Sequence, residues 1–258
     1  MKRERIAAQL YTVRDHCNDA HDLVETLKKV RAIGFRAVQL SSIGPLEVRE
    51  LARVLDGEGL ACCATHEDSE ELLNEPAPIV ERLRILGCGA AAYPWPKDQD
   101  FSTLEGVRRL CRALNRTGKF FRNEGMTFAY HNHALELHRV GARTVLDIIA
   151  AETDPEAVEI ELDTYWVQAG GGDPVDWLGR LNGRASLLHL KDYGVDHKGK
   201  ATFEEIGSGN LGWEKIFAAA KRAGSRWYIV EQDSDWEEMD PFLSLKTSWA
   251  FLRKHFAE

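Results

Sequence analysis

Short apolar runs alternate with longer segments of helical periodicity along the whole chain, and this alternation is the strongest constraint on its fold. The runs lie at about residues 5–10, 36–41, 60–66, 88–93, 126–132, 157–163, 185–190 and 226–232. A glycine precedes five of them, where a helix must end in a left-handed turn: Gly34, Gly59, Gly87, Gly125 and Gly224. Eight such βα units in 258 residues predict an α/β fold, a single (β/α)₈ TIM barrel over residues 1–258.

Composition and charge narrow the classes of function. The chain is 44% hydrophobic and 29% charged, which suits one large core, and its formal net charge of −8 offers no basic surface for nucleic acid. Five cysteines without a C-x-x-C pair are typical of reduced thiols and favour a cytoplasmic location. No apolar stretch is long enough to span a bilayer, so we expect no membrane role.

Carboxylates and one imidazole stand at or just beyond the ends of the last four runs. They are Glu136, Asp163, His189 and Glu231. In a barrel the carboxyl ends of parallel strands meet at one rim, so these side chains are expected to converge there. Hard oxygen ligands with one imidazole suit Mn²⁺, Mg²⁺ or Co²⁺. The sequence therefore predicts one divalent-metal site, although acidic residues at strand ends are often only solvated.

Further polar residues near strand ends fit a substrate pocket. Gln9, Gln39 and His66 stand near the ends of early strands, where each either contacts substrate or is a satisfied polar group of the rim. Lys191 shares a strand face with His189, so its ammonium could hold a hydroxyl or a developing oxyanion, or else pair with a carboxylate such as Asp163 or Glu161.

Aromatic and histidine residues leave similar alternatives open. Trp166 could stack on a sugar face or cap the core. His131 and His133 share a strand face and suggest either a zinc site or a hydrogen-bonded strand end, and His133 could also act in catalysis or orient a metal ligand. The G-x-G-x-x-G pattern of IGSGNLGW has no strand directly before it, which argues against a nicotinamide cofactor. Its backbone could instead bind a phosphate or sugar hydroxyl, or form a simple turn.

These motifs together resemble the xylose-isomerase-like TIM-barrel superfamily of sugar phosphate isomerases and epimerases. YHNHALEL, ELDTYW, LHLKD, IVEQD and IGSGNLGW carry the resemblance. Relatives include tagatose-type ketose epimerases, inosose isomerases and dehydratases, and the endonuclease IV branch of DNA repair. The resemblance implies one divalent metal held by a Glu, an Asp, a His and a second Glu from strands five to eight.

The resemblance transfers three of these ligands directly, at Asp163, His189 and Glu231. In the fifth strand this chain has His131 where many relatives place the Glu, so Glu136 is the first choice and His131 or His133 the alternative. The metal is expected to be Mn²⁺, with Mg²⁺, Co²⁺ and Zn²⁺ also suited to such ligands.

The implied chemistry is proton transfer next to a carbonyl. A metal on adjacent carbonyl and hydroxyl oxygens acidifies the α-carbon and stabilises the enediolate. Glu231 is the leading base, Glu136 or His133 the second acid or base, and Lys191 an aid to the oxyanion, whereas Gln9, Gln39, His66, His131 and Trp166 are the candidate substrate contacts. The leading hypothesis is a sugar isomerase or epimerase acting on a small sugar, cyclitol or keto-glycoside, in a chain that could form a homo-oligomer.

Two other functions compete with isomerisation. The same metal site could serve a dehydratase or other lyase acting on a keto-sugar or inosose. Alternatively, the barrel could bind a sugar without turnover. A repair endonuclease fits poorly because the net charge is negative and ligands for further metal ions are lacking.

Overall fold

Eight parallel strands close into a barrel in a computed structural model that describes residues 1–257. The strands are β1 (Ile6–Gln9), β2 (Ala37–Leu40), β3 (Ala61–His66), β4 (Ala90–Tyr93), β5 (Thr127–His131), β6 (Glu159–Asp163), β7 (Leu187–Leu190) and β8 (Trp227–Val230). Each strand pairs with its neighbours in chain order, and β1 closes the barrel against β8 with Ala8 opposite Val230. The predicted α/β barrel is confirmed, and a strand lies within each of the eight predicted runs. The assignment of residues 1–258 to one domain stays a prediction.

Helices surround the barrel. They are α1 (Ala20–Ile33), α2 (Val48–Glu58), α3 (Ser69–Asn74), α4 (Pro76–Ile85), α5 (Leu104–Asn123), α6 (Val145–Glu152), α7 (Thr164–Ala169), α8 (Pro174–Arg180), α9 (Trp213–Arg222) and α10 (Pro241–His255). Short 3₁₀ turns occupy Arg3–Arg5, Leu10–His16, Ala134–Leu137 and Glu237–Met239. Two antiparallel ribbons, Arg139–Val140 with Arg143–Thr144 and Asp192–Val195 with Ala201–Glu204, extend the loops after β5 and β7. No helix among residues 1–257 combines the length and apolarity that a bilayer crossing requires.

The barrel interior contains an apolar layer of mostly small side chains. It consists of Ala7, Ala37, Cys63, Ala64, Ala90, Ala92, Ala129, Leu187 and Ile229. Because side chains alternate along a strand, the inward-facing residues two positions further on form the next layer towards the carboxyl ends. That layer is polar, as the pairs Ala7 and Gln9, and Leu187 and His189, illustrate. The strand period therefore places the polar residues together above an apolar floor.

Positive backbone φ angles at the five predicted glycines confirm that the helices end in left-handed turns. Gly59 has φ 63° and donates its N–H to the carbonyl of Asp56 at the end of α2. Gly34 ends α1 with φ 130°, and a Cβ built there would lie 2.5 Å from Nε1 of Trp249. The glycine at position 34 is thus required by both its conformation and its neighbour.

Replacing Gly34 by alanine is expected to destabilise the fold by about 2 kcal/mol, because alanine adds strain at positive φ and a clash with the Trp249 ring. Gly87→Ala is the matched control, since Gly87 also has a positive φ, of 62°, but a Cβ there meets nothing within 4 Å. Urea unfolding of the two variants measures the difference. Equal stability of Gly34→Ala and wild type would contradict the packing assigned to this turn.

Candidate metal and active site

Three of the four predicted metal-site residues converge at the carboxyl end of the barrel. Asp163 lies opposite His189 across β6 and β7, and Glu231 directly follows β8, where its N–H donates to the carbonyl of Leu190. The potential ligand atoms of Asp163, His189 and Glu231 all lie within 4.8 Å of one another, and we call these three side chains the metal cluster. His189 Nδ1 is 2.7 Å from Glu231 Oε2 and 3.8 Å from Asp163 Oδ2. All three side chains are buried, so the cluster lies in a low-dielectric environment.

The chemistry of this cluster fits a divalent cation. Oδ2 of Asp163 is buried and accepts no hydrogen bond, although the ammonium of Lys191 lies 3.3 Å away, so this oxygen is free to bind a cation. Burial also raises the pKa of Asp163 to about 6. Two carboxylates and one imidazole are ligands that Mn²⁺, Co²⁺ and Zn²⁺ accept. The buried cluster is therefore consistent with the predicted divalent-metal site.

Lys191 lies among the carboxylates of this cluster and forms the ion pair that the sequence left open. Its Nζ is 2.9 Å from Glu231 Oε2, 3.3 Å from Asp163 Oδ2 and 2.9 Å from Asp233 Oδ1, and the side chain is only 2% exposed. Burial lowers the pKa of Lys191, but the three carboxylates raise it by more. The net pKa therefore lies well above the usual value for lysine. The ammonium therefore stays charged and is positioned to stabilise negative charge on a bound ligand.

A second buried network lies below the cluster, centred on Glu161. Glu161 Oε2 is 2.6 Å from His66 Nε2 and 3.3 Å from His131 Nδ1, whereas Oε1 accepts from Gln39 at 2.7 Å and is 3.4 Å from His189 Nε2. Burial raises the pKa of Glu161, but His189 and His66 lower it well below the usual value. One ionised carboxylate thus organises three imidazoles at the centre of the barrel.

This network determines which nitrogen of His189 faces the metal cluster. The ionised Glu161 can only accept, so Gln39 must present its amide N–H to it and its oxygen to His189 Nε2, 2.6 Å away. His189 Nε2 must then carry a hydrogen. Once the opposite nitrogen, Nδ1, loses its proton, its lone pair faces Asp163 and Glu231.

Gln9 and Gln39 lie inside this network and do not line the cavity above it. Both are fully buried, and Gln9 donates its amide N–H to Gln39 Oε1 at 2.8 Å. The structure gives them partners within the protein, which is the alternative to substrate contact that the sequence left open. Strand-end position alone could not separate the two roles, because the side chains point inward below the rim.

Glu136 is the predicted ligand that the structure does not bring to the metal cluster. One carboxylate oxygen accepts from Tyr130 Oη at 2.6 Å and the other accepts from the backbone N–H of His133 at 2.8 Å. These bonds hold it in the 3₁₀ turn after β5. Burial raises the pKa of Glu136 to about 7, although both hydrogen bonds lower it.

His131 lies closer to the cluster, with Nε2 4.0 Å from Asp163 Oδ2 and Nδ1 turned towards Glu161. Burial, together with the neighbouring His189, lowers the pKa of His131 to about 3. Burial also lowers the pKa of His133, and the neighbouring His131 lowers it further. Both imidazoles are therefore neutral near pH 7, and a neutral imidazole nitrogen can bind a metal ion.

A cavity of about 400 Å³ opens above the cluster. Six residues predicted to be catalytic or to contact substrate lie in its walls: His66, His131, His133, Trp166, Lys191 and Glu231. The lining also contains residues that sequence reasoning missed: Tyr11, Ser41, Ser42, Pro94 and Asp233. Trp95, also in the lining, is half exposed, and its ring centroid lies 4.7 Å from that of His133. Asp233 could have been found by its period-two spacing from Glu231, whereas the serines and Tyr11 lie on loops with no such signal.

The glycine-rich loop is explained by a buried carboxylate. Asp192 accepts hydrogen bonds from the N–H groups of Gly207, Gly209 and Leu211 and from Nε1 of Trp213, at 2.7 to 3.2 Å. A Cβ at Gly209 would lie 2.5 Å from Asp192 Oδ1. The backbone N–H groups that could have bound a phosphate are therefore used to hold the loop after β7.

Replacing Glu136 by glutamine separates a structural carboxylate from a metal ligand. The protonated form is favoured in the folded protein, so the stability from this group is present below its unfolded pKa and is lost as pH rises through about 7. Glutamine mimics the protonated form. We expect Glu136→Gln to gain roughly 2–6 °C in Tm relative to wild type at pH 8 and almost nothing at pH 4. Loss of metal affinity in this variant would instead support Glu136 as a ligand.

Replacing Glu161 by glutamine is expected to weaken metal binding about 10- to 100-fold, because an amide has only one oxygen for the four groups that face the carboxylate. Competition between the protein and a chelator for Mn²⁺ measures the change. Thr65→Val is the control, since the Thr65 hydroxyl is buried without a partner on β3. Equal affinities of Glu161→Gln and wild type would show that the network does not support the metal cluster.

Comparison with known proteins agrees with this architecture. The family model described as xylose isomerase-like TIM barrel matches residues 27–255. An inosose dehydratase of Lacticaseibacillus casei is 28% identical over 162 residues, which covers 56% of this chain and 53% of that protein. An inosose dehydratase of Bacillus cereus (strain AH820) is 25% identical over 171 residues, covering 60% of this chain and 56% of that protein. The chain thus spans about half the length of the curated relatives it matches.

A solved structure described as a sugar phosphate isomerase/epimerase from Parabacteroides distasonis ATCC 8503 matches with a TM-score of 0.85 at 20% identity, covering 99% of this chain and 96% of that one. At this identity the likeness shows a shared fold. The family model covers most of the chain, and the closed eight-stranded barrel agrees with it. This chain therefore belongs to the xylose isomerase-like TIM barrel family.

Proposed function

We propose that this protein is a divalent-metal-dependent enzyme that transfers a proton next to a carbonyl group of a small sugar, cyclitol or keto-glycoside, as an isomerase or epimerase. One observation carries the proposal: the buried cluster of Asp163, His189 and Glu231, in which Asp163 Oδ2 accepts no hydrogen bond, reaches a cavity of about 400 Å³ through Glu231. Carbohydrate-sized cavities with a few convergent polar groups are typical of small-molecule enzymes.

In this proposal Asp163, His189 and Glu231 hold the metal, and His131 supplies the fifth-strand ligand in preference to Glu136. His131 is neutral, and its Nε2 faces Asp163 while Glu161 lies beside its other nitrogen. Mn²⁺ is the expected ion, with Co²⁺, Zn²⁺ and Mg²⁺ as alternatives. A bound divalent cation would polarise the carbonyl and stabilise the negative charge that develops when the α-proton leaves.

The surrounding residues take the remaining roles. Burial raises the pKa of Glu231, but Lys191 and His189 lower it well below the usual value, so Glu231 is ionised and can accept the α-proton. His133 is the better candidate for the second proton-transferring group, because it lies in the cavity wall whereas Glu136 does not and is bonded to Tyr130. Lys191 stabilises the developing oxyanion, and Trp166 and Trp95 provide flat surfaces for a sugar ring.

A dehydratase is the second candidate, favoured by one observation. Curated relatives of the chain include inosose dehydratases, at 25 to 28% identity. The same residues serve elimination, since Glu231 removes the α-proton and a protonated neighbour assists departure of the β-hydroxyl. A sugar-binding barrel without turnover remains the third candidate and requires only the cavity.

Metal analysis combined with NMR in D₂O tests these candidates. Purified wild type is expected to hold about one divalent ion per chain, and Asp163→Asn to lose it, because a buried ligand is removed. With keto sugars and inososes as substrates, Glu231→Gln should lower α-deuterium uptake by at least 10²-fold. The control Glu214→Gln, an exposed carboxylate at the start of α9, should behave as wild type.

The products distinguish the alternatives. Deuterated isomers or epimers support the first proposal, and loss of water with formation of an unsaturated or deoxygenated product supports the dehydratase. Binding of a sugar without deuterium uptake by the metal-loaded protein supports the non-catalytic barrel. Failure to bind any divalent ion after addition of Mn²⁺ would refute the metal site itself.

A further inference from the structure

A second cavity of about 580 Å³ lies at the opposite end of the barrel from the metal cluster. The start of the chain before β1, the segment before β8, the end of α9 and the residue after α10 form its walls. We call it the basal cavity; Lys2, Arg5, Phe217, Lys221, Arg226 and Tyr228 are the lining residues that concern the argument. Nothing in the proposed proton-transfer chemistry uses this end of the barrel.

The charge of the basal cavity is opposite to that of the whole chain. Four basic side chains, Lys2, Arg5, Lys221 and Arg226, line it, and no acidic residue among residues 1–257 does, in a protein with a net charge of −8. Arg226 lies 3.5 Å from Glu159, but Lys2, Arg5 and Lys221 form no ion pair with any residue from 1 to 257. Four like charges around one concave surface repel each other and attract an anion.

A buried tyrosine adds an unpartnered hydrogen-bond donor. Tyr228 faces outward from β8 into the lining, is only 7% exposed, and its hydroxyl makes no hydrogen bond to the described residues. Burial raises the pKa of Tyr228, so the phenol stays protonated and can donate. The hydroxyl is therefore available at the cavity surface, where an oxyanion would accept a hydrogen bond from it.

The remaining wall is aromatic and apolar. The Phe217 ring centroid is 4.5 Å from that of Phe256 and 5.9 Å from that of Tyr228. The guanidinium carbon of Arg5 lies 4.6 Å from the centre of the Trp227 ring, and this stacking holds the planar guanidinium group at the edge of the cavity. The combination of basic groups and flat apolar surface favours a ligand with both a phosphate and a ring.

We propose that the basal cavity is a second ligand site, for a nucleotide-like molecule that carries phosphate on one side and a flat ring on the other. The phosphate contacts Lys2, Arg5, Lys221 and Arg226 and accepts a hydrogen bond from Tyr228, while the ring packs against Phe217. This site is independent of the metal cluster and of the reaction proposed for it.

Calorimetric titration of the untagged, metal-loaded protein with ADP, pyrophosphate and adenosine tests the proposal. ADP is expected to bind saturably and at least tenfold tighter than either adenosine or pyrophosphate. Its affinity should fall as the salt concentration is raised from about 50 to about 300 mM. Lys221→Glu should weaken ADP binding at least tenfold and Tyr228→Phe roughly tenfold. Lys119→Glu, the same charge change at an exposed position of α5, should leave the affinity within twofold.

Three results would overturn the proposal. The first is the absence of saturable ADP binding. The second is equal weakening by Lys221→Glu and Lys119→Glu, because binding would then follow net charge alone. The third is loss of ADP binding in Asp163→Asn, which would place the nucleotide at the metal cluster. Thermal unfolding of each variant, together with retained metal in Lys221→Glu and Tyr228→Phe, establishes that a loss of ADP binding does not come from misfolding.

Discussion

A single ionised carboxylate inside the barrel, Glu161, is the interaction on which the site depends. A buried charge must be compensated, and here the compensation comes from His66, His131, His189 and Gln39. Meeting that requirement fixes the orientation of three imidazoles that belong to three different strands. The cluster above the carboxylate is therefore preorganised by a group that lines no part of the cavity.

Lys191 complements this arrangement from above. Its ammonium is surrounded by Asp163, Glu231 and Asp233, so the rim holds more negative than positive charge even before a ligand binds. A divalent cation and a fixed ammonium side by side can both stabilise an oxyanion on a sugar. A few fixed charges beside an aromatic-walled cavity suit the proposed proton transfer from carbon, because they can stabilise the negative charge that develops.

The glycine-rich loop shows how a motif can be used structurally. Its N–H groups converge on Asp192, the residue next to Lys191 in LHLKD, and thereby hold the chain that follows β7. The same backbone geometry elsewhere binds phosphate, so the pattern alone could not distinguish an internal carboxylate from an external anion. The basal cavity shows the reverse, a proposed anion site that no sequence motif marks. Its basic residues are scattered from position 2 to position 226.

The sequence by itself determined the barrel, the left-handed turns that end its helices, and the convergence of Asp163, His189 and Glu231. All three follow from local rules: strand and helix period, the conformational freedom of glycine, and the common rim of parallel strands. Only the tertiary structure decided the partners of Glu136 and Gln39. Glu136 was the first choice for the fifth-strand ligand, yet it accepts a hydrogen bond from Tyr130, which lies on β5 just before the turn that holds Glu136. Gln39 joins Glu161 across the barrel, a contact between residues 122 positions apart that no local pattern specifies.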